Sequence, residues 1–393
     1  MDTLDADTEA LLALILPAGP DAPRRELLDL AGGPAAVRAL PREQWRRAGL
    51  MPAQIRALEG DPAALDPDLL ARCRVWLRQP GHHLLGWHDP DYPPLLRRAG
   101  SPPPGLFVAG DPARLWHPAV AVVGSRGPTA GGRDNARAFA RALAEAGFAV
   151  GSGLAAGVDR AAHEAALEVG GLTVAVLGTG PDVPYPREHA GLLARIAAEG
   201  AVVSEHPPGT GARREHFPSR NRILAGLSLG TLVIEAAQRS GALITARLAA
   251  ETGREVFALP GTPENLKARG CHRLIRDGAT LADDPAQVIE ALATGTGGAI
   301  GRLRSALRGP HPSPSGTTAP LPFASVDDER VWQALGPDGA GFDELLQRAG
   351  LTTATLAPIL LAMELDGRLT QQHGVYIPRG SAPHTRAGLQ RRR

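Results

Sequence analysis

From residue 118 onward, unbroken apolar runs alternate with alanine-rich stretches of helical period. The runs at 119–123, 148–150, 173–177, 201–203, 231–234 and 255–259 predict strands; the stretches at 133–146, 157–169, 188–199, 219–228, 241–252 and 284–293 predict helices. Strands that stay apolar throughout are buried on both faces, and strands that each feed a helix build a parallel sheet. The pattern therefore predicts an α/β domain with a doubly wound, mostly parallel sheet.

The flanks read differently. In 8–72, Leu11, Leu12, Leu14 and Ile15, then Leu27, Leu28 and Leu30, recur at helical spacing, with Gly32-Gly33-Pro34 and Gly49 between them. This predicts a small helical domain over 1–75. It is either a helix-hairpin-helix type module that grips DNA backbones through its turn at 17–20, or a docking bundle. Residues 76–115 are rich in proline, histidine and glycine and predict an irregular connector ending in a short strand at 106–109. Residues 294–325, rich in glycine, threonine, proline and serine, predict a flexible linker. In 326–380, helices near 327–335, 341–348 and 352–366 precede strands at 368–371 and 374–377, the order of a winged helix. The tail 381–393 ends in three arginines and is expected to be disordered.

Composition narrows the possible partners. The 393 residues carry 42 Lys+Arg against 41 Asp+Glu, a formal net charge of +1, so a polyanion partner must meet a local patch. Lys267 is the only lysine. Cys73 and Cys271 lack metal-ligand spacing; neither a disulfide framework nor a bound metal is expected, and a reducing cytoplasm fits. No apolar run reaches the ~20 residues that span a bilayer.

Candidate chemistry sits after successive strands. Gly124-Ser125-Arg126 and the glycines at 127–132 follow the first; such a turn presents backbone N–H groups to an anion, but matches neither a dinucleotide fingerprint nor a P-loop. Gly151-Ser-Gly153 with Asp159 and His163 follows the second, where an Asp/His pair without a nearby nucleophile is better suited to orienting the turn. Gly178-Thr-Gly180 and Tyr185-Pro-Arg187 follow the third. Next comes 213–222, Arg-Arg-Glu-His-Phe-Pro-Ser-Arg-Asn-Arg, with four arginines and Phe217 in ten residues. Arginine forks suit phosphate oxygens, and an aromatic face accepts a stacked base. Arg239-Ser240-Gly241 through Thr245 follows the next strand; Ser240 is placed to cap the helix and leave another anion seat.

In this order the motifs resemble the DNA-processing protein A (DprA/Smf) family, over roughly residues 85–293. The carriers are Gly124-Ser-Arg126, Ser152-Gly-Leu154 with Gly157-Val-Asp159 and Ala162-His163, Gly178-Thr-Gly180 with Tyr185-Pro186, Phe217 through Arg222, Ser240 through Thr245, and Pro260-Gly261. The resemblance implies an extended Rossmann-like domain that binds single-stranded DNA, dimerises, and brings the RecA recombinase onto incoming DNA during natural transformation, with no cofactor. It also implies the two flanking domains: a helix-hairpin-helix or SAM-like N-terminus and a winged-helix C-terminus. By the same resemblance the groove would use Ser125, Arg126, the backbone near Gly153, Arg187, Arg214, Phe217, Arg220, Asn221 and Arg222, together with Ser240, Gly241 and Thr245, and Lys267 as a further cation. Phe217 would stack on a base, and Arg214, Arg220 and Arg222 would meet phosphates.

The chain departs from the family pattern where Gly131 stands near an expected aromatic and Ala156 replaces a basic residue. Arg187 and Arg214 replace lysines. The alternative is a nucleotide-processing Rossmann enzyme of the lysine-decarboxylase-like (nucleoside monophosphate phosphoribohydrolase) class. Leu229-Gly-Thr-Leu-Val-Ile-Glu235 matches only the tail of that class's signature. With no nucleophile, metal cluster or Walker lysine in view, the expectation is a binder rather than an enzyme. The predicted third helix of the winged domain, 352–366, carries no cation, which favours protein over duplex DNA as its partner.

Overall fold

The computed structural model describes residues 4–295, 325–335, 340–365, 368–372 and 375–378. Two compact units emerge, Met1–Leu292 and Ala293–Arg393. The linker expected at 294–325 and the tail at 381–393 lie, apart from residues 294, 295 and 325, outside the described residues.

The first unit opens with six helices: α1 (Ala6–Ile15), α2 (Asp21–Ala31), α3 (Pro34–Ala39), α4 (Arg42–Ala48), α5 (Pro52–Glu59) and α6 (Pro67–Leu77). Asp5 starts α1 by accepting from the Thr8 N–H at 2.8 Å. The apolar core of α1 then serves two sides. Leu11 and Leu14 pack with Leu27, Val37, Trp45 and Ile55 of the bundle, while Leu12 packs with Cys73, Trp76 and the sheet residues Phe107 and Ala109. Arg74 of α6 grips Glu9 of α1 through two hydrogen bonds of 2.8 Å. The boundary expected at residue 75 therefore does not separate compact units, because helices and sheet share a core.

The sheet follows: β1 (His82–Gly86), α7 (Pro94–Arg97), β2 (Gly105–Gly110), β3 (Ala119–Val123), α8 (Ala130–Glu145), β4 (Ala149–Ser152), α9 (Val158–Glu168), β5 (Thr173–Leu177), α10 (Ala190–Glu199), β6 (Ala201–Ser204), α11 (His216–Leu227), β7 (Ser228–Val233), α12 (Ala242–Glu251), β8 (Glu255–Ala258), α13 (Arg269–Arg276), β9 (Thr280–Leu281) and α14 (Pro285–Gly295). The strand order is β1-β2-β6-β5-β4-β3-β7-β8-β9. All neighbours are parallel except β1–β2 and β2–β6. Alternate residues of β5 divide between the faces. Val174 and Val176 join the core that includes Ile223, Leu224 and Leu227 of α11 and Ala246 and Ala249 of α12; Ala175 and Leu177 join Leu12, Trp76 and Ile196. The expected doubly wound, mostly parallel sheet is present. The supposed connector 76–115 also contributes β1 and α7, and two further elements appear after β8, α13 and β9.

The second unit holds α15 (Val326–Leu335), β10 (Ala340–Gly341), α16 (Phe342–Ala349), α17 (Thr353–Leu365), β11 (Leu369–Gln372) and β12 (Val375–Pro378), with sheet order β10-β12-β11. Val331, Leu345, Leu356, Leu360, Leu369 and Tyr376 form its core, in the winged-helix order expected.

Leu12→Ala should lower the free energy of unfolding by about 2–5 kcal/mol, read as a reduced urea midpoint, because the residue is fully buried between bundle and sheet.

Candidate nucleic-acid interface

The direction of winding reverses between β3 and β7: β4, β5 and β6 extend to one side and β8 and β9 to the other. Ligands of open α/β sheets bind beyond the strand ends at such a point. Gly124, Ser125 and Arg126 follow β3 there, and Glu235 follows β7. Glu235 is buried, and its carboxylate accepts from the Thr129 N–H at 2.9 Å, the Thr129 hydroxyl at 2.6 Å and Asn265 Nδ2 at 3.1 Å. A Cβ at Gly132 would stand 2.4 Å from that carboxyl carbon, so glycine is required where the turn enters α8. Lys267 Nζ donates to the Gly127 carbonyl. Ser125 Oγ accepts from the Gly127 N–H at 3.2 Å. The glycine-rich turn is thus partly closed by its own protein partners, and Arg126 is exposed on it.

The turn after β4 is closed likewise. Asp159 Oδ2 accepts from the Gly153 N–H at 3.1 Å and the Ala155 N–H at 3.3 Å. Behind Gly153 lies Arg220 of α11; a Cβ there would meet its Nη1 at 1.8 Å. Arg220 is 6% exposed and donates through Nη1 to the Val176 carbonyl. Burial raises the Asp159 carboxyl and lowers the Arg220 guanidinium, and in each case the charge of the other partner opposes the shift. His163 donates through Nδ1 to Thr173 Oγ1 at 2.7 Å, since the Thr173 hydroxyl proton is spent on the Val150 carbonyl at 2.6 Å. Burial, then the charges of Arg220 and His189, push His163 down to about 3. Asp159 holds the turn, whereas His163, expected to share that task, instead ties α9 to Thr173 at the start of β5.

A cavity of about 710 Å³ opens over these turns. It gathers Arg126, Arg214, Phe217, Arg220, Asn221, Ser240, Gly241 and Thr245 of the expected residues. Arg213 and Tyr185, which were not assigned roles, line it too. Arg126 lies over the Phe217 ring, 5.4 Å from its centroid, and Tyr185 meets the same ring at 5.2 Å. Asn221 Nδ2 reaches the Gly241 carbonyl at 3.5 Å, and Ser240 Oγ accepts from the Ala242 N–H at 3.3 Å at the start of α12. Thr245 is 2% exposed and acts from the wall. The start of α11 is seated by His216, which donates through Nδ1 to the Gly178 carbonyl at 3.1 Å and stacks on His206 at 3.8 Å. Burial holds His206 down at about 4.

Five expected residues are not among those lining the cavity. Ser125 and Gly153 are engaged within their turns, and Lys267 is tied to Gly127. Arg187 is exposed in a short 3-10 turn, Arg187–His189, outside the cavity lining. Arg222 turns the other way: it pairs with Glu205, donates to the Ser101 carbonyl, and stands 3.9 Å from Asp21 of α2. Arg220 and Arg222 are thus not the free phosphate forks expected. One is the buried floor; the other ties α11 to the loop before β2 and to the end of β6.

The family model for DNA recombination-mediator protein A matches residues 83–293, and the DprA winged helix domain model matches 313–375. The chain belongs to the DNA recombination-mediator protein A family. Protein Smf of Escherichia coli is 40% identical over 312 residues, 79% of this chain and 81% of that protein. The solved structure of DNA processing protein A from Streptococcus pneumoniae superposes with a TM-score of 0.63 at 33% identity, covering 74% of this chain and 98% of that one. The structure of DNA processing protein A from Helicobacter pylori, described for its single-stranded DNA binding mode, gives 0.50 at 28% identity over 54% of this chain and 96% of its own. In this member of the family, the Glu235 that closes the partial phosphoribohydrolase match has both carboxylate oxygens committed to Thr129 and Asn265.

Two predictions follow from these contacts. Arg222→Ala leaves the largely buried Glu205 carboxylate without its partner; it should cost about 1–3 kcal/mol of stability, seen as a lower Tm, with little change at the groove. His163 is neutral in the native state while the unfolded chain takes up a proton below its ordinary 6.5. Its contribution to stability is therefore complete above 6.5 and falls as pH drops towards 3, by up to ~1.4 kcal/mol per unit. His163→Asn should remove that part of the slope in urea titrations across pH.

Proposed function

We propose that the groove holds single-stranded DNA without cutting or modifying it, and that the protein delivers the bound strand to a RecA recombinase during DNA uptake and recombination. The observation that carries the first part is the convergence of Arg126, Arg213 and Arg214 with Phe217 and Tyr185 on one cavity at the winding reversal. Cationic forks beside aromatic rings suit a flexible strand whose bases are free to leave the backbone line. The description of the Helicobacter pylori relative, which concerns single-stranded DNA binding, supports the same ligand. The recombinase step rests on family membership. Among the described residues no helix is long and apolar enough to cross a membrane, and we place the protein's action in the cytoplasm, where its two free thiols would stay reduced. A homodimer through the 260–281 region is part of this reading; Leu266 and Leu281 are exposed there by 61% and 44%.

In gel shift, Arg126→Ala combined with Arg214→Ala should reduce affinity for a labelled single-stranded oligonucleotide by about a hundredfold or more, since two charge-assisted contacts are lost. Wild-type affinity should fall with salt at a logarithmic slope of about −2 to −3, as a few phosphates release counterions. Unchanged affinity in the double variant would exclude the groove.

A further inference from the structure

The resemblance assigns base stacking to Phe217, yet the surroundings of that ring point elsewhere. Phe217 is half-buried, with the Arg126 guanidinium over it at 5.4 Å and the Tyr185 ring beside it at 5.2 Å, inclined by 43°. A base sandwiched between two rings needs roughly 7 Å, twice the ~3.5 Å of van der Waals contact, so no base enters between Tyr185 and Phe217 as they stand. A base must use an outer face, and one face of Phe217 already carries Arg126. Tyr185 lines the same cavity, is 44% exposed, and its hydroxyl has no hydrogen-bond partner among the described residues. The chain around it is held firmly. Pro184 and Pro186 flank it, and four residues on the buried His189 donates to the Leu154 carbonyl at 2.9 Å. A preset ring loses little freedom on stacking.

We propose that Tyr185 is the base-stacking platform of the groove, and that Phe217 supports it and orients Arg126. The ligand it takes is an unpaired nucleobase of a single strand, of any identity, because every base offers a π-face. The proposal rests on the groove binding single-stranded DNA, and its test separates the two. The full chain is titrated with an oligothymidylate and with an abasic oligomer of equal length, which keeps the phosphates and lacks the bases. Tyr185→Leu, which retains apolar bulk without a π-face, should bind oligothymidylate about tenfold more weakly and the abasic strand within about twofold of wild type. Tyr185→Phe should match wild type on both strands. A 2-aminopurine-bearing strand should be quenched by wild type and Tyr185→Phe but not by Tyr185→Leu. Equal weakening on both strands would assign Tyr185 a merely structural part, and an unchanged oligothymidylate affinity would overturn the proposal. If wild type bound neither strand, the groove reading itself would fall, and this proposal with it.

Discussion

The guanidinium of Arg220 beneath the groove is the constraint on which the other parts turn. Burying a lone cation costs several kcal/mol, and the fold meets that cost with the Val176 carbonyl of β5 and the charge of Asp159 on α9. The arrangement admits no side chain at residue 153, and it obliges Asp159 to hold the backbone of the turn as well as to face the arginine. One side chain therefore fixes α11 against β5 and the turn after β4. Its charge also stands close enough to Arg126 to be felt there, so it adds to the field of the groove whose floor it lines.

A second buried charge performs the matching task on the other side of the winding reversal. Glu235 ties the loop after β7 to Thr129 at the start of α8 and to Asn265 in the segment after β8. Lys267, two residues on from Asn265, holds the Gly127 carbonyl. The turn that presents Arg126 is thereby braced from two strands away, and within it Gly124 and Gly132 allow close packing. In both turns a carboxylate takes up part of the backbone donors: Glu235 the Thr129 N–H in the first, and Asp159 the Gly153 and Ala155 N–H groups in the second.

The arginine-rich segment shows how position divides one chemistry into several uses. Arg213 and Arg214 precede α11, are exposed and line the cavity. Arg220 and Arg222 lie two residues apart on the helix, an offset that sends side chains to different sides. One goes beneath the groove to the Val176 carbonyl of β5, and the other to Glu205 and the loop at Ser101.

The order of strands and helices, and the clustering of chemistry after successive strands, were legible in the chain because a buried parallel strand must be apolar along its whole length. β1 was hidden because it begins His82-His83 at the sheet's edge, and β9 because it has two exposed residues; neither needs a continuous apolar run. The helical N-terminus looked like a separate module because periodicity reports that a helix has an apolar side, not what that side meets. Leu12 facing the sheet and Leu11 facing the bundle is decided only when both partners are in place. The same holds for the site. Residue types and their order along the chain placed Arg126, Arg214 and Phe217 at strand ends, since that follows from topology. Whether an arginine reaches solvent, a carbonyl or a carboxylate depends on which neighbours a distant segment brings, so the contacts of Arg220, Arg222 and Lys267 and the place of Tyr185 in the cavity wall were decided by tertiary packing alone.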